Sequence, residues 1–239
     1  MIMKILLTLF LLFFTTIGFS QTTVLHLDST YLEKNLVINA NHYTNSMENK
    51  TVAISVHGTR GFKTMEVISV LSDNLLDLNI DTIAPNISYG VNDRVNDFLS
   101  CDMKHLHNQY ANVDEIIKWF LFAVEKDYKD IILIGHSRGG QDIIQAYKKI
   151  LKLYPGISKK ISSLVLLAPL ADDTDEINIS LQKSHSTTIS EFLNRDDNAF
   201  IKINFLNCNN ATVKISSFLS YYNLPRDEQL IPMLKDIDI

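Results

Sequence analysis

The sequence predicts an α/β fold, a three-layer structure in which a mostly parallel sheet carries helices on both faces. Three observations predict it. Short apolar runs alternate with stretches of helical periodicity along the chain. The runs are continuously apolar rather than alternating, as strands buried on both faces require. Five of the eight glycines, Gly58, Gly61, Gly135, Gly139 and Gly140, fall in two loops that each leave such a run. Glycine suits turns with positive φ and places where backbones approach closely.

The elements follow in order. Lys4 precedes the apolar stretch Ile5–Phe14, and Thr15–Ser20 is small and polar apart from Ile17 and Phe19. This is the pattern of a secretory signal peptide over 1–20, cut after Ser20, which leaves 21–239 as a single domain. The apolar stretch is short beside the roughly 20 residues of a membrane span. Export to the periplasm or the cell exterior is therefore expected, with no stable membrane insertion after cleavage. Thr23–Asp28 and Leu36–Tyr43 read as strands, with a polar turn over 45–50. Val52–Val56 is a buried strand that runs into His57-Gly58-Thr59-Arg60-Gly61. Met65, Val67, Ile68, Leu71, Leu75, Leu76 and Leu78 recur at helical spacing. Ile80–Ile87 is a further strand, and Tyr89–Asn108 is polar. Val113, Ile116, Ile117, Phe120, Leu121 and Val124 line one side of a second long helix. Ile131–Ile134 is a strand, and Gln141–Leu151 reads as a helix. Ile161–Ala168 is the next strand, closed by Pro169.

Composition narrows the function classes. The 239 residues suffice for one sizeable core, and 46% apolar with 21% charged residues is an ordinary globular balance. A net charge of -5 argues against a nucleic-acid partner, which needs a basic face to neutralise phosphates. The two cysteines, Cys101 and Cys208, have one possible intramolecular pairing in an oxidising compartment, or pack as two buried thiols. His105 and His107 lack further ligands at metal spacing, so no metal is expected.

The chemistry centres on Gly135-His136-Ser137-Arg138-Gly139-Gly140. Strand, sharp turn with a central serine, then helix is the context that lifts a serine hydroxyl onto a sheet rim. A serine nucleophile needs a base, an orienting acid and donors for the oxyanion that forms. The N–H of Arg138, following the serine, is one candidate donor. The N–H of Thr59, in the loop after Val52–Val56, is the other. His57 and His136 shape the two loops. Arg60, Arg94 and Arg138 either bind an anionic substrate group or pair with local carboxylates such as Asp93 and Asp97.

Val56-His57-Gly58-Thr59, the serine turn and Leu166-Leu167-Ala168-Pro169 together resemble the α/β-hydrolase family over roughly Leu36 to the C-terminus. Asp93-Arg94, Cys101 and Ser217-Phe218-Leu219-Ser220-Tyr221-Tyr222 are similar to small bacterial hydrolases of this fold. The resemblance implies hydrolysis of an ester, thioester or amide in a small acyl substrate through an acyl-serine on Ser137, with no cofactor. In this family the order is serine, acid, histidine, with the acid after the next-to-last strand and the histidine after the last. Ser217–Leu234 resembles the helical region before that strand and Lys235–Ile239 its lead-in. The resemblance thus implies that the last two strands, with the usual acid and base, are absent from this sequence. His185 is the one histidine after Ser137. It is a substitute base or part of a solvated cap segment, with Asp172 (or Asp173) as its acid. Two functions follow: a secreted serine hydrolase, or a catalytically impaired relative that binds acyl compounds without turning them over.

Overall fold

The computed structural model describes residues 21–45, 49–171, 174–235 and 237. The expected signal peptide and Asp172 lie outside the described residues. The strands are β1 (Gln21–Tyr31), β2 (Lys34–Thr44), β3 (Thr51–Val56), β4 (Asp81–Asn86), β5 (Asp130–His136) and β6 (Ile161–Leu167), and they form one sheet in the order β1-β2-β4-β3-β5-β6. β1 and β2 are an antiparallel hairpin and β2 runs antiparallel to β4. β4, β3, β5 and β6 are parallel.

The helices α1 (Glu66–Asp77), α2 (Gln109–Glu125), α3 (Arg138–Leu153) and α4 (Pro155–Ser158) connect the parallel strands. Successive strand residues point to opposite faces, and β4 shows the consequence. Ile83 joins Val52, Ile54, Ile131 and Leu133 in the main core, packed with Ile116, Phe120, Ile143 and Ile144 of α2 and α3. Ala84 faces the other way, with Tyr43, against Ile68 of α1. Helices therefore cover both faces.

After β6 the chain builds a second lobe: α5 (Thr174–His185), the hairpin β7 (Phe200–Phe205) and β8 (Cys208–Lys214), and α6 (Ile215–Tyr222), followed by α7 (Leu230–Lys235). Leu181, Phe192, Ile203, Phe205, Val213, Phe218 and Tyr221 form its own apolar cluster. The lobe is tied to the loop before α2. Cys101 and Cys208 are disulfide-bonded across a Cα separation of 5.4 Å. The His105 N–H donates to Thr212 O at 2.9 Å, and His105 O accepts the Lys214 N–H at 3.0 Å. Of the two alternatives for the cysteines, the fold realises the pairing.

One buried charge has a consequence for stability. Glu115 of α2 is 2% exposed and accepts the Ser88 N–H at 2.9 Å together with the Ser88 hydroxyl. Burial outweighs these bonds and the nearby Arg94 charge, and pushes the carboxyl up from 4.5 to about 7. The folded state holds this proton more tightly than the unfolded one. The group's contribution to stability is thus most favourable below the unfolded value, near pH 4.5, and declines as pH rises through 7. Glu115→Gln is expected to flatten that decline and to gain up to about 3 kcal/mol over the parent protein at pH 8. Urea midpoints of both proteins at pH 5, 6, 7 and 8 measure it; parallel curves would refute the assignment.

Candidate active site

Parallel pairing brings the candidate loops together. Val56, the last residue of β3, is in register with Gly135 of β5, and His136 with Leu167 of β6. The chain therefore leaves the carboxyl ends of three adjacent strands at one rim, where sites in such sheets form.

Ser137 is the junction of β5 and α3, with φ 55° and ψ -121°. Positive φ in a residue with a Cβ costs on the order of 1–3 kcal/mol and persists where surrounding structure enforces it. Here the enforcement is visible. The Ser137 N–H donates to Leu167 O at 2.9 Å, and Ser137 O accepts the N–H groups of Gly140 and Leu170, each at 3.0 Å. Serine at a helix N-cap normally accepts a backbone N–H with its own hydroxyl. Ser137 occupies that position in α3 without such a bond. Its hydroxyl has no hydrogen-bond partner among the described residues.

Close packing explains two of the glycines. A Cβ at Gly139 would stand 2.5 Å from Val56 O and 2.6 Å from His57 O. A Cβ at Gly135 would collide with the Gly139 carbonyl and stand 2.6 Å from Gly140 Cα. The start of α3 thus lies directly against the end of β3, which is how the 57–61 loop reaches the serine. A Cβ built at Gly58 falls 3.0 Å from Ser137 Cβ. Thr59 follows, half-buried, and its N–H has no acceptor among the described residues. Arg138 is 2% exposed, and its guanidinium lies over the Tyr221 ring at 5.2 Å. Its side chain is part of the interior, so its backbone is what it presents at the first turn of α3.

The histidines separate by environment. His57 is buried, its Nδ1 bonds to Gly58 O at 2.9 Å, and its Nε2 accepts the Ile87 N–H at 3.2 Å. Burial, reinforced by Arg94, pushes its pKa down to about 3. It is a neutral brace for the loop. His105 and His107 bond to each other at 3.0 Å, and His107 to the Tyr221 hydroxyl at 2.8 Å, inside the interface between the two lobes. Burial lowers both pKa values. No group of three or more metal-ligating side chains occurs among the described residues.

His185 ends α5, and its Nε2 accepts the Asn204 N–H at 3.1 Å. The structure places this ring on the hairpin, and among the described residues no hydrogen bond joins it to Ser137. Leu170, two residues before Asp172, is bonded to Ser137 O at 3.0 Å, so the segment leading to Asp172 departs from the serine turn itself.

Arg60 and Arg94 differ from the carboxylate pairing expected of them. Arg94 is 4% exposed and donates to Ile87 O at 2.8 Å, Asp97 O at 2.6 Å, Gly61 O at 2.6 Å and the Asn86 side chain. Arg60 donates to Leu99 O at 2.7 Å and Cys101 Sγ at 2.8 Å. Both guanidinium groups gather turns of the 87–101 segment by bonding its carbonyls, and Arg94 is buried among them.

The profile of an alpha/beta hydrolase family of unknown function, DUF900, matches residues 33–211. No curated protein matches the sequence. Solved structures share the fold at low identity. A putative hydrolase from Agrobacterium vitis S4 is 14% identical with a TM-score of 0.51, over 69% of this chain and 62% of that one. Est1E from Butyrivibrio proteoclasticus is 15% identical with a TM-score of 0.53, over 84% of this chain and 70% of that one. Est1E with ferulic acid bound aligns at 16% identity with the same TM-score, over 83% and 71%. The chain thus spans 62–71% of the length of these structures.

Proposed function

The chain belongs to this alpha/beta hydrolase family, and we propose that within it the protein is a serine hydrolase that cleaves a carboxylic ester or related acyl bond through an acyl-serine on Ser137. The observation that carries the reading is the strained, uncapped Ser137 at the head of α3, with the Gly58-Thr59 loop packed against it. In this mechanism Ser137 Oγ attacks the acyl carbonyl, and the N–H groups of Thr59 and Arg138 donate hydrogen bonds to the developing oxyanion. The amino end of α3 favours that negative charge. Collapse of the tetrahedral intermediate breaks the bond to the leaving oxygen, which takes up the proton given up by Ser137 and departs as the alcohol. Water then attacks the acyl-serine by the same route, releasing the carboxylic acid and restoring the Ser137 hydroxyl. Substrate is a small acyl compound rather than a nucleic acid.

A second reading has its own support. No hydrogen bond joins the Ser137 hydroxyl to a histidine among the described residues, and this is what favours a relative that binds acyl compounds without turnover. A fluorophosphonate probe separates the two, since it reacts with an activated serine. Covalent labelling at Ser137, with hydrolysis of p-nitrophenyl esters or a ferulate ester, supports the hydrolase. Folded protein that neither labels nor hydrolyses any of them is the binding relative. Because the Asn204 N–H occupies His185 Nε2, His185→Ala is expected to leave labelling within about twofold; a larger loss, as removal of a general base gives, would make His185 the base and Asp172 its acid.

Export is part of the same reading. A disulfide between Cys101 and Cys208 suits an oxidising compartment. Mass spectrometry of the mature protein is expected to find Gln21 at its N-terminus and no attached membrane segment.

A further inference from the structure

Arg60 is held through its backbone and one guanidinium nitrogen by the 89–101 segment. Its φ is 55°, left-handed for a residue with a Cβ. Its N–H donates to the Tyr89 hydroxyl at 3.1 Å, and its carbonyl accepts the Leu99 N–H at 2.9 Å. One guanidinium nitrogen, Nη1, donates to Leu99 O and to Cys101 Sγ, at 2.7 and 2.8 Å. Cys101 is in turn bonded to Cys208, the first residue of β8 in the second lobe. A continuous path thus runs from the hairpin, through the disulfide and the Arg60 side chain, to the residue that follows Thr59. Nη1, at least, is used on the protein rather than directed at a substrate.

We propose that Arg60 is a positioning residue for the oxyanion site. Its bonds to Leu99 and Cys101 fix the left-handed turn at position 60 and so aim the Thr59 N–H, and the Cys101–Cys208 disulfide anchors the far end. This rests on the serine-hydrolase reading above. The second lobe then acts on the chemical step through the loop, without touching substrate.

The test uses the whole chain, with kcat and KM for a p-nitrophenyl ester and the inhibition constant of a phenylboronic acid, which adds to the serine as a tetrahedral mimic. Arg60→Met is expected to lower kcat at least about tenfold with KM within about twofold, because an oxyanion donor acts in the transition state. Boronate affinity should fall in parallel, and Arg60→Lys, which keeps a donor for Leu99 O, should recover part of both. Cys101→Ala/Cys208→Ala should reproduce the kcat loss, and it decides the matter if Arg60→Met does not fold. Unchanged kcat in the folded variants overturns the proposal. So does a rise in KM alone, which would make Arg60 a substrate contact. Absence of turnover and labelling in the parent protein overturns the hydrolase reading, and this inference with it; turnover in the parent that the variants keep overturns the inference alone.

Discussion

Ser137→Ala is expected to abolish fluorophosphonate labelling and to reduce ester turnover by at least about a thousandfold, the scale of losing a nucleophile that acts with its partners as a unit. The same substitution should leave the fold untouched. The Ser137 hydroxyl caps nothing and bonds to nothing among the described residues, and alanine meets the same backbone constraint at φ 55° as serine. Stability should therefore stay within about 0.5 kcal/mol, as for a surface change. Ser137→Gly goes further, because glycine carries no penalty at positive φ. It should be equally inactive and more stable, by on the order of 1 kcal/mol. Inactivity together with gained stability would show that the strain at this residue is maintained for chemistry. Measured turnover in purified Ser137→Ala would remove Ser137 from the mechanism.

The parts of the fold that were legible in the sequence are those with a local physical cause. Val52–Val56, apolar but for Ser55, and Ile131–Ile134 do not alternate because β3 is buried on both faces and β5 buried or partly buried on both. The serine turn announces itself because only glycine fits against Val56 O and His57 O. The second lobe was harder to see. β7 does alternate, with Ile201, Ile203 and Phe205 buried between exposed neighbours. β8, however, begins Cys208-Asn209-Asn210 and offers few apolar residues. Its turn at Leu206 and Asn207 takes positive φ at two residues that are not glycine. Partners brought together by the tertiary fold left no local trace at all. The cysteines are 107 residues apart in sequence, and Arg60 and Arg94 bond backbone carbonyls, which every residue possesses. His185 follows Ser137 in the order that a base should, yet the register of α5 on the hairpin, not chain order, decides what its ring meets.

Gly139→Ala is expected to destabilise the protein by about 3–5 kcal/mol, at the upper end of what overpacking causes. The atoms in the way are the carbonyls of Val56 and His57, at 2.5 and 2.6 Å from the new Cβ. Neither belongs to a flexible side chain that could swing aside. Val56 is laddered to β5 through Gly135, and His57 is pinned through both ring nitrogens, to Gly58 O and the Ile87 N–H. Relief therefore requires moving the end of β3 or the start of α3, and either motion separates the Gly58-Thr59 loop from Ser137. With a urea slope of roughly 1–3 kcal/mol per molar for a domain of ordinary size, the unfolding midpoint should fall by at least about 1 M. Any protein that remains folded should label poorly with the fluorophosphonate. Gly156 supplies the matched control. It lies in α4, and a Cβ there meets nothing within 4 Å, so Gly156→Ala should be neutral or stabilising by up to about 1 kcal/mol. Equal midpoints for the two variants would mean that α3 and β3 are not packed as closely as the structure has them, and the placement of the oxyanion loop against Ser137 would fall with that contact.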